Sequence, residues 1–180
     1  MINSPVRYAI LVAVASLVLV LTGCSSPATR EAMTPQGVVV SKHYSHSLRV
    51  QTSGGSETGA MDSSNVSDAD LKAAIENAVI QSKMFNSIVQ GAGGDYELSV
   101  SVVSLSKPMF GATFTVEMET AWSLTKAADH SVVTRKSVKS SGTATMGDAL
   151  AAVTRLRLAV ENAARENISQ GLQAIAALNL

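Results

Sequence analysis

Few residues in this chain carry types and spacings that could do chemistry. Cys24 is the only cysteine. A lone thiol closes no internal disulfide, which leaves it as a nucleophile toward an alkyl or acyl donor. Gly54-Gly55-Ser56-Glu57-Thr58 joins glycines to hydroxyls and a carboxylate, a composition shared by phosphate cradles and serine nucleophiles. A phosphate loop needs its N–H groups at a helix N-terminus, with a lysine close by. Here no lysine lies between Lys42 and Lys72, and helical periodicity begins well after Gly55. The G-x-S-x-G spacing of a nucleophile elbow is also missing. The segment therefore predicts a glycine-bearing turn leaving a strand. Its surface, formed by Gly54, Gly55, Ser56, Glu57 and Thr58, is a candidate partner-binding loop.

The remaining candidates are weaker. His43 and His46 are three apart, a spacing that gathers ligands on a helix but not on a strand, so no metal site is expected. Glu117 and Glu119 share one face of a strand pattern, where paired carboxylates could do acid–base work; a solvated polar face is the expectation. Arg155, Arg157 and Arg165 fall in a helical pattern, solvated or paired with Glu161, the Arg157–Glu161 pair at i, i+4 being worth a few tenths of a kcal/mol. The small polar run Ser140 to Met146 has no base and no metal ligand, and predicts a structural junction. No catalytic set emerges, and the chain is expected to be non-enzymatic.

The setting of Cys24 gives its chemistry a direction. Arg7 and the free amine precede an apolar run from Tyr8 to Leu21. As a helix this run is about 21 Å long, short of a hydrocarbon core of about 30 Å, and it matches the apolar region of a signal peptide. Leu21-Thr22-Gly23-Cys24 then resembles the bacterial lipobox. That resemblance implies cleavage before Cys24, a diacylglycerol thioether on its sulfur and an acyl chain on its new amine, with no other cofactor. Ser25 at the next position, by resemblance to the enteric sorting rule, implies the outer membrane with the globular part facing the periplasm. The expected organisation is a lipoprotein signal peptide over 1–23, a lipidated cysteine and flexible tether over 24–37, and one α+β domain over 38–180.

Composition bounds the partners. Lys and Arg total 14 against 14 Asp and Glu, and loss of Arg7 with the signal leaves one excess negative charge. No basic patch marks a nucleic-acid binder. Aromatic residues are 4% of the chain, so the core must be built from aliphatic side chains.

Elements follow from periodicity. Val38-Val39-Val40 and Ser47–Thr52 predict one or two strands. Ser67 predicts the N-cap of a helix carrying Leu71, Ala74, Ile75, Ala78 and Val79 and ending near Lys83. Ser87–Val89 predicts a short strand before the glycine turn at 91–94. Alternation over Tyr96–Val102 and Phe114–Leu124 gives the two clearest strands, and another runs from Val132 to about Thr145. Asp148 predicts the N-cap of a long last helix carrying Leu150, Val153, Leu156, Val160, Ala163, Ile168, Leu172 and Ile175. Gly171 lies inside it at a cost of about 1 kcal/mol relative to Ala, where the helix bends, ends or packs closely. The order β-α-β-β-β-α predicts an α+β fold: an antiparallel sheet of four to five strands with two helices on one face.

Together with the lipobox, the segments GGSET (54–58), SLSKPMFG (104–111), SGTATMGDAL (141–150) and RLRLAVENAARENI (155–168) resemble a group of small bacterial lipoproteins, and more distantly YajG-type lipoproteins. The resemblance implies an envelope protein but no assigned activity. The expectation is a membrane-anchored accessory or binding subunit of an envelope assembly, transport or maintenance system, with an envelope protein or a further copy of itself as partner. A lipid or small-ligand binding module is the alternative. A hydrolase using Ser56 or Glu57, or an acyltransferase, is less favoured: the chain has neither a hexapeptide repeat nor a His-x4-Asp motif.

Overall fold

A computed structural model describes residues 26–59 and 63–180. The signal segment over 1–23 and Cys24 lie outside the described residues. The elements are α1 (Arg30–Met33), β1 (Tyr44–Ser53), α2 (Asp68–Ser82), β2 (Phe85–Ile88), β3 (Tyr96–Ser106), β4 (Phe114–Lys126), β5 (Val132–Ala144) and α3 (Ala152–Ala176). The strands form one sheet in the order β2-β1-β3-β4-β5, and the α+β class expected from the alternating and helical patterns is what the chain adopts.

The sheet is mixed rather than antiparallel. β3, β4 and β5 form an antiparallel meander, but β1 runs parallel to both β2 and β3. The cause is α2. A helix placed between two strands carries the chain back to its starting end, so the following strand enters in the same direction. The short link from β2 to β3 is possible because the two strands are staggered along β1: Leu48 pairs with Ile88 at the end of β2 and with Tyr96 at the start of β3.

One face of the sheet carries the core. Leu48, Val50, Leu98, Val100, Val116, Met118, Trp122 and Leu124 pack against Leu71, Ala74, Ile75, Ala78 and Val79 of α2 and against Ala159, Val160, Ala163, Ala164, Ile168, Leu172 and Ile175 of α3. Each large aliphatic side chain so buried contributes about 1.5–3 kcal/mol. The other face, with Glu117, Thr115, Lys139 and Ser141, is solvated.

Gly171 resolves in favour of close packing. A Cβ there would overlap the ring of Trp122, and one at Gly142 of β5 would overlap the α3 backbone at Ala159 and Ala163. A buried polar network crosses this contact. The Thr120 hydroxyl donates to Asn167 Oδ1 at 2.5 Å and accepts from Trp122 Nε1 at 2.8 Å. Asn167 Nδ2 donates to Val138 O at 3.0 Å and Ser140 Oγ at 3.2 Å, and that serine hydroxyl donates to Ala163 O.

Several expectations need correcting. The stretch expected as a tether over 24–37 is folded from Ala28 onward: Ala28, Met33 and Thr34 are buried and α1 lies within it. Glu161 holds this segment, accepting from Thr29 N–H at 3.2 Å, and Arg165 donates to Ala32 O. Val38-Val39-Val40 forms no strand, because the chain there passes the end of α3, where Ser41 and Lys42 donate to Ala176 O and Leu178 O. Asp148 does not cap α3. Its carboxylate accepts from the Thr145 N–H and hydroxyl, closing a turn, and α3 starts later behind Ala151 without a side-chain cap. Ser67 does cap α2, accepting from Asp70 N–H.

Candidate functional site

The GGSET loop has a structural explanation. Gly54 has φ +79°, and a Cβ there would collide with Val102 O, while one at Gly55 would strike Val66 O. Gly55 N–H donates to Asp68 Oδ1 at 2.8 Å and Ser56 N–H to Val66 O at 2.9 Å. Thr58 Oγ1 accepts from Asn65 N–H, and Glu57 O from Asn65 Nδ2. The loop is thus laced to the segment leading into α2. Ser56 and Glu57 stay exposed on its surface.

The histidines do not converge. His43 Nδ1 lies 2.8 Å from Lys83 O, His46 stacks edge-on against Tyr96 with Asp95 at 4.0 Å, and His130 occupies a turn with φ +57°. Among the described residues no group of three or more His, Cys, Asp or Glu could hold a metal ion.

Glu117 and Glu119 line an open groove of about 930 Å³ beside β5, with Pro35, Lys139, Arg165 and Glu166. Glu119 accepts from the Ser137 hydroxyl at 2.7 Å and faces Lys139 Nζ at 3.5 Å. The serine hydroxyl, then the lysine charge, hold its carboxyl below the usual range. A carboxylate kept ionised is a poor proton donor. Arg165 is committed to Ala32 O and Asn162 Oδ1. The groove offers mixed charge, with Glu117, Glu119 and Glu166 facing Lys139 and Arg165 across its lining.

The feature the sequence patterns concealed lies at one end of the molecule. Arg155, expected in solvent or on Glu161, is buried at 5% exposure. Its two terminal nitrogens donate to Ala149 O, Leu150 O and Gly111 O, and its guanidinium lies over the Phe114 ring at 5.4 Å. It thereby ties the β3–β4 connection to the β5–α3 connection. Leu150 and Val153, expected on the buried stripe of the last helix, are exposed at this end, and so are Met109, Phe110 and Met146. The missing signal was the true start of α3. With the helix beginning at Ala152, Leu150 belongs to a loop, and helical periodicity no longer dictates its burial.

No family model matches the chain, and no curated protein matches it. Several solved structures do match in fold. The protein XCC0632 from Xanthomonas campestris, of family DUF330, aligns with a TM-score of 0.59 at 14% identity, covering 79% of this chain and 90% of its own. The hypothetical protein CT253 from Chlamydia trachomatis gives 0.55 at 5% identity, covering 76% and 96%. A PelC dodecamer from Paraburkholderia phytofirmans gives 0.52 at 14% identity, covering 78% and 93%. At these identities the likeness is one of fold.

Proposed function

We propose that this protein is a non-enzymatic lipoprotein of the bacterial envelope, anchored through Cys24, whose α+β domain serves as an accessory or binding subunit. The observation that carries the reading is the lipobox cysteine placed just ahead of a folded unit. Ala28 is already packed in the core, so the anchor and the domain are joined by about 14 Å of extended chain at most. Two or more acyl chains on one residue hold a protein far more firmly than a single chain does. The mixed-charge groove around Glu117, Glu119 and Lys139, rather than the GGSET loop, is the surface best built for a polar partner segment. The outer membrane, with the domain in the periplasm, is the location proposed from Ser25.

The alternative, an apolar ligand held between helices and sheet, has little support. That space is filled by Trp122, Leu48, Met118, Ile168 and Leu172, all nearly inaccessible. Self-association remains part of the proposal, since a PelC of the same fold forms a dodecamer. The native mass of the lipidated protein in mild detergent reads it directly.

The anchor is tested by intact mass spectrometry of protein extracted from membranes. The expected species starts at Cys24 and carries a diacylglyceryl group and an N-acyl chain, and Cys24→Ala abolishes both. A mature chain with a free thiol would overturn the anchor. In-cell cross-linking then tests the subunit role: a stoichiometric envelope protein captured by the anchored form, and lost with Glu119→Arg, is the expected result.

A further inference from the structure

Ser26, the first described residue after the anchor position, and the exposed apolar side chains lie at the same end of the fold. Ser26 O accepts from the Ser64 hydroxyl at 2.8 Å, and Ala28 N–H donates to Asn65 O. Lys107 Nζ donates to Ser64 O at 3.1 Å and to Asn65 Oδ1 at 2.5 Å. Lys107 opens the connection that carries Met109 and Phe110, exposed at 94% and 87%. Arg155 ties this connection to the neighbouring one, which carries Met146 and Leu150, the latter 83% exposed, with Val153 on the first turn of α3. Register fixes the arrangement, because Phe114 after one connection pairs with Ala144 before the other. Five exposed apolar side chains therefore lie on two joined connections and a helix start at the end of the fold from which the chain leads back to Cys24, and Cys24 lies two residues before Ser26, about 7 Å of chain.

We propose that this end of the domain inserts into the lipid surface, with Phe110, Met109 and Leu150 entering the interface beside the acyl chains of Cys24. The inference rests on acylation of Cys24 and goes beyond it by fixing which end of the protein faces the membrane. Lone exposed apolar residues are ordinary, but a cluster on two joined loops marks an interaction surface. The occupant is lipid because the chain leading to Cys24 holds this end within reach of the bilayer. The charged groups here do not select anionic lipid. Lys107 is held by Ser64 and Asn65, and the Asp148 and Glu57 carboxylates would lie at headgroup level. Neutral phospholipid should suffice. The partner groove beside β5 is lined by other residues and stays accessible.

Acylation consumes the only native thiol, so one introduced cysteine becomes the single labelling site. Full-length protein carrying Phe110→Cys, Leu150→Cys or, at the opposite end of β5, Val132→Cys is labelled with an environment-sensitive fluorophore and reconstituted into phosphatidylcholine vesicles. Intact mass is read first. Two labels per chain would mean that Cys24 is free, and the anchor reading itself has failed. With one label, fluorophores at 110 and 150 should brighten on reconstitution and lose most of that emission when the lipids carry doxyl groups on their acyl chains. The fluorophore at 132 should do neither. Labels at 110 and 150 that stay as wet as the one at 132 would overturn the proposal. Brightening that doxyl lipid leaves unquenched would also overturn it, since another protein or a second copy would then cover this end.

Discussion

Replacing Gly171 by alanine sets two effects against each other. In an open helix the change gains about 1 kcal/mol. Here the new methyl would overlap the ring of Trp122, the largest fully buried side chain, and overpacking of a tight core costs about 1–3 kcal/mol. With three ring atoms overlapped the cost lies at the upper end of its range, so packing wins and Gly171→Ala should lower the unfolding free energy by up to about 2 kcal/mol, measured by urea denaturation. The glycine was visible in the sequence; its partner was not, since Trp122 lies on a strand far from it along the chain. The Asn167 network was hidden for the same reason. Its members are ordinary Thr, Trp, Asn and Ser residues until the fold brings them together. The residue scale also holds a pH dependence. Asp95 accepts from Ser47 N–H and Oγ, both at 2.8 Å, joining β1 to the start of β3. The backbone N–H first, then the hydroxyl, hold its carboxyl below the usual range. A carboxyl depressed in the folded state adds stability that is complete above about pH 4 and is lost as pH falls through the lower folded value. Asp95→Asn should therefore lower Tm at pH 7, and the gap from the parent protein should narrow toward pH 3 in a calorimetric series.

Among the elements, β4 and the first half of β3 were the most legible because they alternate between a core-facing and a solvated face, whereas β5 alternates only from Val138 onward. The direction of β1 was not legible, although the helix between two strands already contained the answer. A period of two marks faces, and says nothing about which neighbour a strand runs beside. The folded part of the expected tether was hidden for another reason. Its anchoring groups, Glu161 and Arg165, lie at the far end of the sequence and looked like solvated helix charges. Glu161 is buried, with Arg157 Nη1 3.9 Å away and Thr29 N–H bonded to it. Glu161→Ala should release residues 28–33, seen as faster amide hydrogen exchange there while β3 and β4 stay protected. Arg155 makes a parallel case at the anchor end. Arg155→Ala removes charge-assisted hydrogen bonds to Gly111, Ala149 and Leu150 and the contact with Phe114, a loss of about 1–3 kcal/mol. Lysine cannot reproduce a fork that reaches two loops at once, so Arg155→Lys should recover little of that loss. Urea denaturation of the three proteins compares them directly.

At the scale of the whole molecule, two mechanisms could keep the anchor end on the membrane: the short chain from Cys24 alone, or that chain together with the apolar loop tips. They separate when the chain is lengthened. Ten Gly/Ser residues inserted between Ser25 and Ser26 leave the Ser26–Ser64 contact intact and keep Ser25 beside the lipidated cysteine. A flexible insert of that length has a root-mean-square span of about 17–19 Å, so the chain no longer dictates which end faces the lipid. If Phe110, Met109 and Leu150 insert, their burial still favours the interface by about 1.5–3 kcal/mol for each side chain fully removed from water. The fluorophore at 150 should then remain quenchable by doxyl lipid in the lengthened protein. Adding Met109→Ser and Phe110→Ser to the insert should abolish that quenching, while the same two changes without the insert should reduce it only in part. Quenching that vanished with the insert alone would assign the orientation to the length of the chain. The fold would then supply only where the chain leaves the domain.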